Sequence, residues 1–459
     1  MIEQRILEEV LSVAMSTGAD FAELYAENTR NNTLSFVDGK IDKIFDNTYS
    51  GVGIRVFLGV KTVYATTTDL TREGLLACAR SAADILGTLK ADISVSLAKM
   101  PVIDRHPVRI HTMSADMRIR SDLLKSACFA AKEYDEKIAQ VQGTLLGVDH
   151  GILVANSEGL FKEDRHLRTR LIVSAVASEG GENQSGSCSH GRGMGLELFD
   201  MYDPREMGVH ASRQALVNLR AGYCPAGQMT VAIENGFGGV IFHEACGHSL
   251  EATQVGVGMS EMCGKLGQVI ANPKVTAIDD GTIPWAWGSV NIDDEGNPTQ
   301  RNVLIENGVL KNYMIDRLGS RRMGMPMTGN SRRQGYSYEP TSRMTNTFID
   351  NGPDKNEDII ASIEYGLYAK EMGGGSVNPL TGAFNFAVKE GYIVRNGKIC
   401  EPVRGASLIG TGSQILRDID MVGQNLECGQ GMCGSSSGSV PTDVGQPLIR
   451  VGKITVGGR

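Results

Sequence analysis

The sequence predicts an α+β protein in two parts. An N-terminal mixed helix/antiparallel-sheet domain is expected over residues 1–222. A C-terminal antiparallel β-rich domain, barrel- or sandwich-like and carrying one embedded helix with candidate metal ligands, is expected over 223–459. Three observations predict this. The 459 residues exceed what one ordinary hydrophobic core organises. The first half reads helix, meander, helix and then helix, meander, helix again, whereas helical signals are few beyond residue 274. Glycine is abundant at 56 and aromatics make up only 6%, so turns should be frequent and strands short.

Ile6, Val10, Leu11 and Ala14 form one helical stripe that Ser16-Thr17-Gly18 stops. Strand-like runs follow at 22–27, 34–37, 51–58 and 62–65, with turns expected at Asn31-Asn32, Asp38-Gly39 and Leu58-Gly59. Asp69 is a candidate cap for a helix over 71–86, and 87–111, with Pro101 and Pro107, reads as a connector. A helix over 114–134, capped by Ser114, precedes strands at 138–148, 152–157, 160–166 and 171–178. Asp149-His150-Gly151 and Ser157-Glu158-Gly159 read as turns, 179–195 as a loop and 203–220 as a helix. The repeated order suggests a structural duplication without a residue-level repeat.

Gly222-Tyr223-Cys224-Pro225-Ala226-Gly227 marks the boundary. A strand over 228–233 leads to a helix beginning at Asn235 or Gly236, then to a loop-rich stretch reaching Lys274. Strands are expected at 275–278, 290–293, 300–306 and 309–315, with Glu306-Asn307-Gly308 as a hairpin turn. Residues 323–343 fit a long surface loop and 357–369 one helix. Short strands near 384–388, 391–394, 408–410, 421–422, 448–451 and 454–456, with a short helix at 413–418, complete the β domain.

A net charge of −8 argues against a nucleic-acid surface, so no nucleic-acid partner is expected. No run of roughly eighteen apolar residues occurs, so no membrane partner is expected either. The N-terminus opens an amphipathic helix and lacks a signal-peptide core. The nine scattered cysteines suit a reducing compartment, and a cytoplasmic location is expected.

The chemistry concentrates in His243-Glu244-Ala245-Cys246-Gly247-His248. Two neutral imidazoles can bind zinc, and a carboxylate beside them can handle a proton. In the familiar H-E-x-x-H pattern the histidines lie four apart on one helical face. Here they lie five apart, which on an ideal helix separates them by about 140° around the axis. The helix is therefore expected to be bulged, or to end, between Glu244 and His248, with Gly247 absorbing the backbone distortion. Zinc in a catalytic site usually takes a third protein ligand. The glycine-rich stretch Cys428-Gly429-Gln430-Gly431-Met432-Cys433-Gly434 offers two thiols, although a free cysteine is commonly no more than a small buried residue.

With these residues in view, the chain resembles the TldD/PmbA family of metallopeptidases, described as modulators of DNA gyrase. The resemblance rests on the His243–His248 motif and on Val290-Asn291-Ile292-Asp293-Asp294-Glu295-Gly296. It rests also on 299–308, Arg343-Met344-Thr345-Asn346-Thr347, 364–369, Val444-Gly445-Gln446-Pro447 and Thr455-Val456-Gly457-Gly458. It is strong over 228–459 and points to the TldD-type subunit, since the PmbA-type partner lacks the histidine motif. The resemblance implies a zinc-dependent peptidase in which His243, His248 and Cys433 bind Zn2+ and Glu244 activates water. Cys428 is a rival ligand, and Cys246 is expected to serve packing. Ser435 stands where the family commonly has lysine.

A thiolate weakens the metal as a Lewis acid, so a second electrophile is expected, with Tyr336, Tyr338, Arg332 and Arg333 as candidates. The implied substrates are extended or unstructured polypeptides, which a β-rich domain can dock as an added strand. The implied assembly is a heterodimer with a PmbA-like subunit, or a homodimer. Two other readings stand beside this one: a non-catalytic regulatory or binding subunit of a heteromeric protease complex, and a cysteine hydrolase with Cys433 as nucleophile.

Overall fold

The computed structural model describes residues 2–87, 92–378 and 381–458. Residues 88–91 of the expected connector lie outside them. The first half runs α1 (Gln4–Met15), β1 (Phe21–Val37), β2 (Lys40–Leu58), β3 (Lys61–Thr67), α2 (Arg72–Leu86), β4 (Ala98–Lys99), α3 (Met117–Glu133), β5 (Ile138–Asn156), β6 (Leu160–Glu179), β7 (Glu182–Arg192) and α4 (Pro204–Arg220). One seven-stranded sheet takes the order β3-β2-β1-β5-β6-β4, with β7 also on β6. The antiparallel β1–β5 pair sits between two like units, α1-β1-β2-β3-α2 and α3-β5-β6-β7-α4. This is the helix–meander–helix order read twice from the sequence.

Strand alternation gives this sheet two unlike faces. On one, Leu24, Ile54 and Val56 pack against Leu7, Leu11 and Ala79 of α1 and α2, while Leu145, Leu171 and Val173 pack against Leu124, Ala127 and Ala215 of α3 and α4. The other face carries Glu23, Tyr25 and Glu27 from β1, Arg55 from β2, His150 from β5 and His166 and Arg168 from β6. It turns toward the C-terminal half, where Arg55 meets Glu295 and Arg168 meets Trp287.

Several strand and turn expectations fail here for one reason: cross-strand partners outweigh local turn preference. β1 runs unbroken through Asn31-Asn32, because Asn32 is held by Asp46 (3.1 Å) and Arg120 (2.7 Å). β5 runs unbroken through Asp149-His150-Gly151, with Asp149 on Arg165 and His150 on Glu27. β2 begins eleven residues before the expected 51, and the expected loop at 179–195 is largely β7, paired along β6. The helix caps are Thr71 and Asp116, not Asp69 and Ser114; Asp69 instead accepts the Thr71 hydroxyl (2.7 Å).

The second half continues with β8 (Gly222–Tyr223), β9 (Gly227–Ile233), α5 (Val240–Ala245), α6 (Ala252–Val255), β10 (Ala277–Asp280), β11 (Arg301–Glu306), β12 (Val309–Leu310), α7 (Arg317–Met323), β13 (Ser331–Arg332), β14 (Thr341–Ser342), β15 (Asn346–Ile349) and α8 (Asn356–Ala361). It ends with β16 (Tyr365–Val377), β17 (Ala383–Arg395), β18 (Lys398–Arg404), β19 (Ser407–Thr411), α9 (Gly412–Asp418), β20 (Ile419–Val422), β21 (Glu427–Ser435), β22 (Gly438–Gln446) and β23 (Ile449–Gly457). Strands β16-β9-β23-β19-β17 close on themselves through β16–β17, forming a five-stranded barrel. Val231, Leu367, Phe386, Leu408 and Val451 belong to its core, together with Phe242 and Ala245 of α5. Beside it lies a six-stranded sheet, β12-β11-β10-β15-β22-β21. Most pairs are antiparallel, but β9–β16, β15–β22 and β8–β18 are parallel.

The helix expected over 357–369 stops at Ala361, since residues from Tyr365 onward find strand partners on both sides, in β9 and β17. The strand expected over 290–293 is reduced to one bridge, Ile292 with Pro298. The expected surface loop at 323–343 is not at the surface throughout: Asn330, Ser331 and Arg343 are buried within the C-terminal half, and Arg332 and Arg333 where it meets the first sheet.

Candidate metal centre

α5 is six residues long, preceded by a 3₁₀ turn at Gly236–Gly239 and ended by Cys246 (φ −133°), after which Gly247–Leu250 form a second 3₁₀ turn. The helix therefore ends between Glu244 and His248, and the tighter turn brings the second imidazole back toward the first. The two rings lie 5.1 Å apart at 84°. Gly247 has no left-handed backbone; it is needed for space, since a Cβ there would stand 2.3 Å from Met344 Sδ. The same holds for Gly239, whose Cβ would lie 2.3 Å from the Gly445 nitrogen. This contact seats the motif directly on β22.

β22 pairs with β21, and Cys433 stands opposite Val440 in that hairpin. Its Sγ lies 3.2 Å from His243 Nε2 and 3.3 Å from His248 Nε2. Ligand atoms from His243, His248 and Cys433 fall within 4.8 Å of one another, the one such group among the described residues. Cys428 is five positions earlier on the same strand, so alternation turns it to the other face, and burial near Asp443 pushes its thiol up to about 12. Cys246 is fully buried among apolar neighbours, and that burial raises its thiol. Burial also opposes ionisation of Cys433, but the two imidazoles overcome it and draw the thiol down to about 3. His248 is held well above the usual imidazole range: burial works against its charge, Glu251 and the Cys433 sulfur for it.

Neighbours that the sequence reading missed fix the ligands. Thr347 Oγ1 lies 3.1 Å from His243 Nδ1 and donates onward to Met344 Sδ, so that ring presents Nε2 to the centre. Glu251 Oε1 lies 3.2 Å from His248 Nδ1 and does the same for the second ring. Arg343 is fully buried, binds the Cys433 carbonyl, Ser437 and Gly438, and stands 3.9 Å from Glu251. Glu251 was discernible as an acid three residues beyond His248; Thr347 and Arg343 lie within a motif already singled out, but nothing local assigns them these contacts. Glu244 Oε2 is 3.8 Å from His248 Nε2, on the side of the ligand nitrogens, and is partly exposed.

Of the expected electrophiles, Arg332 lies near enough to Cys433 for their charges to interact, and each makes further contacts of its own. Arg333 bonds Tyr64 and Asp294 and pairs with Glu23. The Tyr336 backbone is fastened to Glu27 and Tyr64. Tyr338 borders Gly438. Arg332 donates to the carbonyls of Met344 and Pro441.

The donor set suits zinc. Ligand bonds of about 2.0–2.3 Å in a tetrahedron put donor atoms about 3.5 Å apart, close to the nitrogen–sulfur distances found. A converged thiolate and two imidazoles, held by outer partners, is also the composition such sites use.

Family models match three segments. Residues 22–86 match PmbA/TldA metallopeptidase domain 1, residues 111–219 its central domain and residues 226–458 its C-terminal domain. The metalloprotease TldD homolog of Haemophilus influenzae is 35% identical, the match covering 100% of this chain and 97% of that protein. The zinc metalloprotease TldD homolog of Saccharolobus solfataricus is 26% identical over 97% of this chain and 98% of its own. The crystal structure of TldE from Thermococcus kodakarensis has the same fold, with a TM-score of 0.77 at 18% identity, covering 99% of this chain and 98% of that one.

Proposed function

The chain belongs to the PmbA/TldA metallopeptidase family, and from that premise we propose that it is a zinc-dependent peptidase of extended or unstructured polypeptides. The observation that carries this reading is the convergence of His243, His248 and Cys433 with the Glu244 carboxylate beside them. Bound zinc supplies Lewis acidity and acidifies water. Glu244 accepts the proton from the attacking water and returns it to the leaving amine. Thr347 and Glu251 keep both imidazoles oriented. Arg343 ties the Cys433 carbonyl to Ser437 and so fixes the strand that carries the sulfur.

β21 ends its sheet, which leaves a strand edge beside Cys433 for an extended peptide to pair with. The assembly we propose is a heterodimer with a PmbA-like subunit, with a homodimer as the alternative, and the location is cytoplasmic. Among the described residues no helix is long and apolar enough to cross a membrane.

One observation favours a second reading. Cys433 lies beside two imidazoles with its thiol drawn down, as a cysteine nucleophile would be. A peptide-cleavage assay with metal analysis separates the two. On the zinc reading, chelation abolishes cleavage and zinc restores it, Glu244→Gln keeps the metal while losing about 10²–10⁴-fold in rate, and Cys433→Ala loses the metal. Activity insensitive to chelation but lost on alkylation supports the nucleophile instead. Absence of both metal and cleavage supports a non-catalytic subunit.

A further inference from the structure

The polar face of the first sheet does not pack solidly against the C-terminal half. Between them lies a cavity of about 320 Å³, with His166 and Arg168 in its floor and Trp287, Arg332, Met432 and Pro441 in its roof. Arg168 and Arg332 are 5% and 4% exposed. Arg168 donates to the carbonyls of Trp287 (3.1 Å) and Ser289 (3.4 Å). Arg332 uses one nitrogen for the carbonyls of Met344 (2.8 Å) and Pro441 (2.7 Å). Among the described residues neither guanidinium forms an ion pair. The other deeply buried arginines of this region differ: Arg55 lies 2.9 Å and Arg333 3.3 Å from Glu23.

Two buried guanidinium groups without an ion-pair partner are costly unless an anion joins them. Burial and mutual repulsion already pull Arg168 down to about 9, and burial with Arg343 pulls Arg332 to about 10. The charge of Asp294 favours both cations, and Asp164 and Asp443 favour Arg168, but none of these carboxylates lies in ion-pair contact with either guanidinium among the described residues. Asp294 accepts the Arg333 backbone N–H at 2.6 Å, and Asp293 accepts the backbone N–H groups of Asn297 and Ser331, with burial and Glu295 raising its carboxyl well above the usual range.

We propose that this cavity is a carboxylate subsite, in which Arg168 from the sheet and Arg332 from the roof hold an acidic group of the bound polypeptide. Guanidinium groups suit a carboxylate because their N–H donors match its two oxygens. The cavity reaches the metal centre through β21: Met432 borders the one, and its neighbour Cys433, on the opposite side of the strand, belongs to the other. A peptide paired with β21 alternates its side chains in step with that strand, so neighbouring residues of the peptide serve the two sites. The subsite rests on the peptidase reading for its ligand but not for its existence, which binding alone can test.

The experiment is fluorescence anisotropy of the full chain with four labelled peptides of equal length, bearing Glu or Gln at one position and a free or amidated C-terminus. The acidic peptide binds roughly tenfold tighter than its Gln counterpart, and salt at about 0.5 M removes most of the difference. If amidation rather than Glu-to-Gln exchange removes the preference, the carboxylate is the terminal one. Arg168→Gln abolishes the preference and leaves the uncharged peptide within about twofold.

A readout on the unaltered chain covers the case in which that variant misfolds: N-acetylglutamate amide changes the tryptophan emission, to which cavity-lining Trp287 contributes alongside Trp285, at concentrations where N-acetylglutamine amide does not. Equal binding of all four peptides, no binding at all, or a preference that survives Arg168→Gln overturns the subsite. Preference without hydrolysis sinks the peptidase reading alone; hydrolysis without preference sinks the subsite alone.

Discussion

Two of the clusters of buried polar groups in this molecule are built on opposite plans. At the junction of the halves Arg55, with no exposure, meets Glu23 at 2.9 Å and also Glu295, while Arg333 pairs with Glu23 at 3.3 Å and lies over the Tyr25 ring. Every charge there has its opposite in reach; despite burial, the carboxylates hold the Arg55 guanidinium above its usual range. At the other cluster, two imidazole nitrogens and a sulfur face one another, with Glu251 behind the second ring and Glu244 beside the ligand nitrogens. A mixed-sign cluster is a joint. A cluster of converging metal-ligand atoms is, on the proposed chemistry, a seat for a cation. Burial alone does not tell them apart; the signs of the converging groups do.

That contrast can be broken by experiment. The largest effect belongs to the joint. Arg55→Met leaves Glu295 buried without its counter-charge and Glu23 with Arg333 alone, and lowers stability by about 3–5 kcal/mol, read from urea unfolding. Zinc content of the folded protein stays unchanged; a parallel loss of metal would show that the clusters are one unit. The next belongs to the metal seat. Glu251→Gln weakens zinc binding about 10–100-fold, measured by chelator competition, while the unfolding midpoint of the metal-free protein hardly moves.

The smallest sharpens the joint. Asp316, packed behind Arg55, is pushed up to about 7 by burial and by Glu295 against the pull of Arg55. Its folded pKa exceeds the unfolded value, so the folded chain keeps a proton that the unfolded chain has released. Stability from this group therefore falls as pH rises from about 4 to about 7. Asp316 also caps α7 through the Gly319 N–H, which asparagine can do equally. Asp316→Asn should raise stability by about 1 kcal/mol at pH 8 and by less at pH 5, read from thermal unfolding at both. An equal gain at the two pH values would exclude the titration.

The fold class, the repeated helix–meander–helix order and the interrupted motif helix were legible in the chain because each is written in local periodicity. The long strands were not. Asn31-Asn32 and Asp149-His150-Gly151 carry strong turn signals, and only Asp46, Arg120, Glu27 and Arg165, distant in sequence, hold them extended. The centre divides the same way. His243, Glu244 and His248 are adjacent and visible. Cys433 needed the family resemblance, since its strand was not recognised at all. Arg332 and Arg333 were singled out as electrophiles, yet their burial between the halves depends on a sheet face that no stretch of the C-terminal sequence describes.

The sulfur of Cys433 and the nitrogen of His243 are separated by 190 positions along the chain. A chain emerging from the ribosome makes its histidines long before the hairpin that completes their set, and contacts so distant form late. On the proposed chemistry, a partly synthesised or prematurely terminated copy is inert. Hydrolytic capacity appears only when the tail has docked, so the order of synthesis itself protects the cell from an unfinished protease.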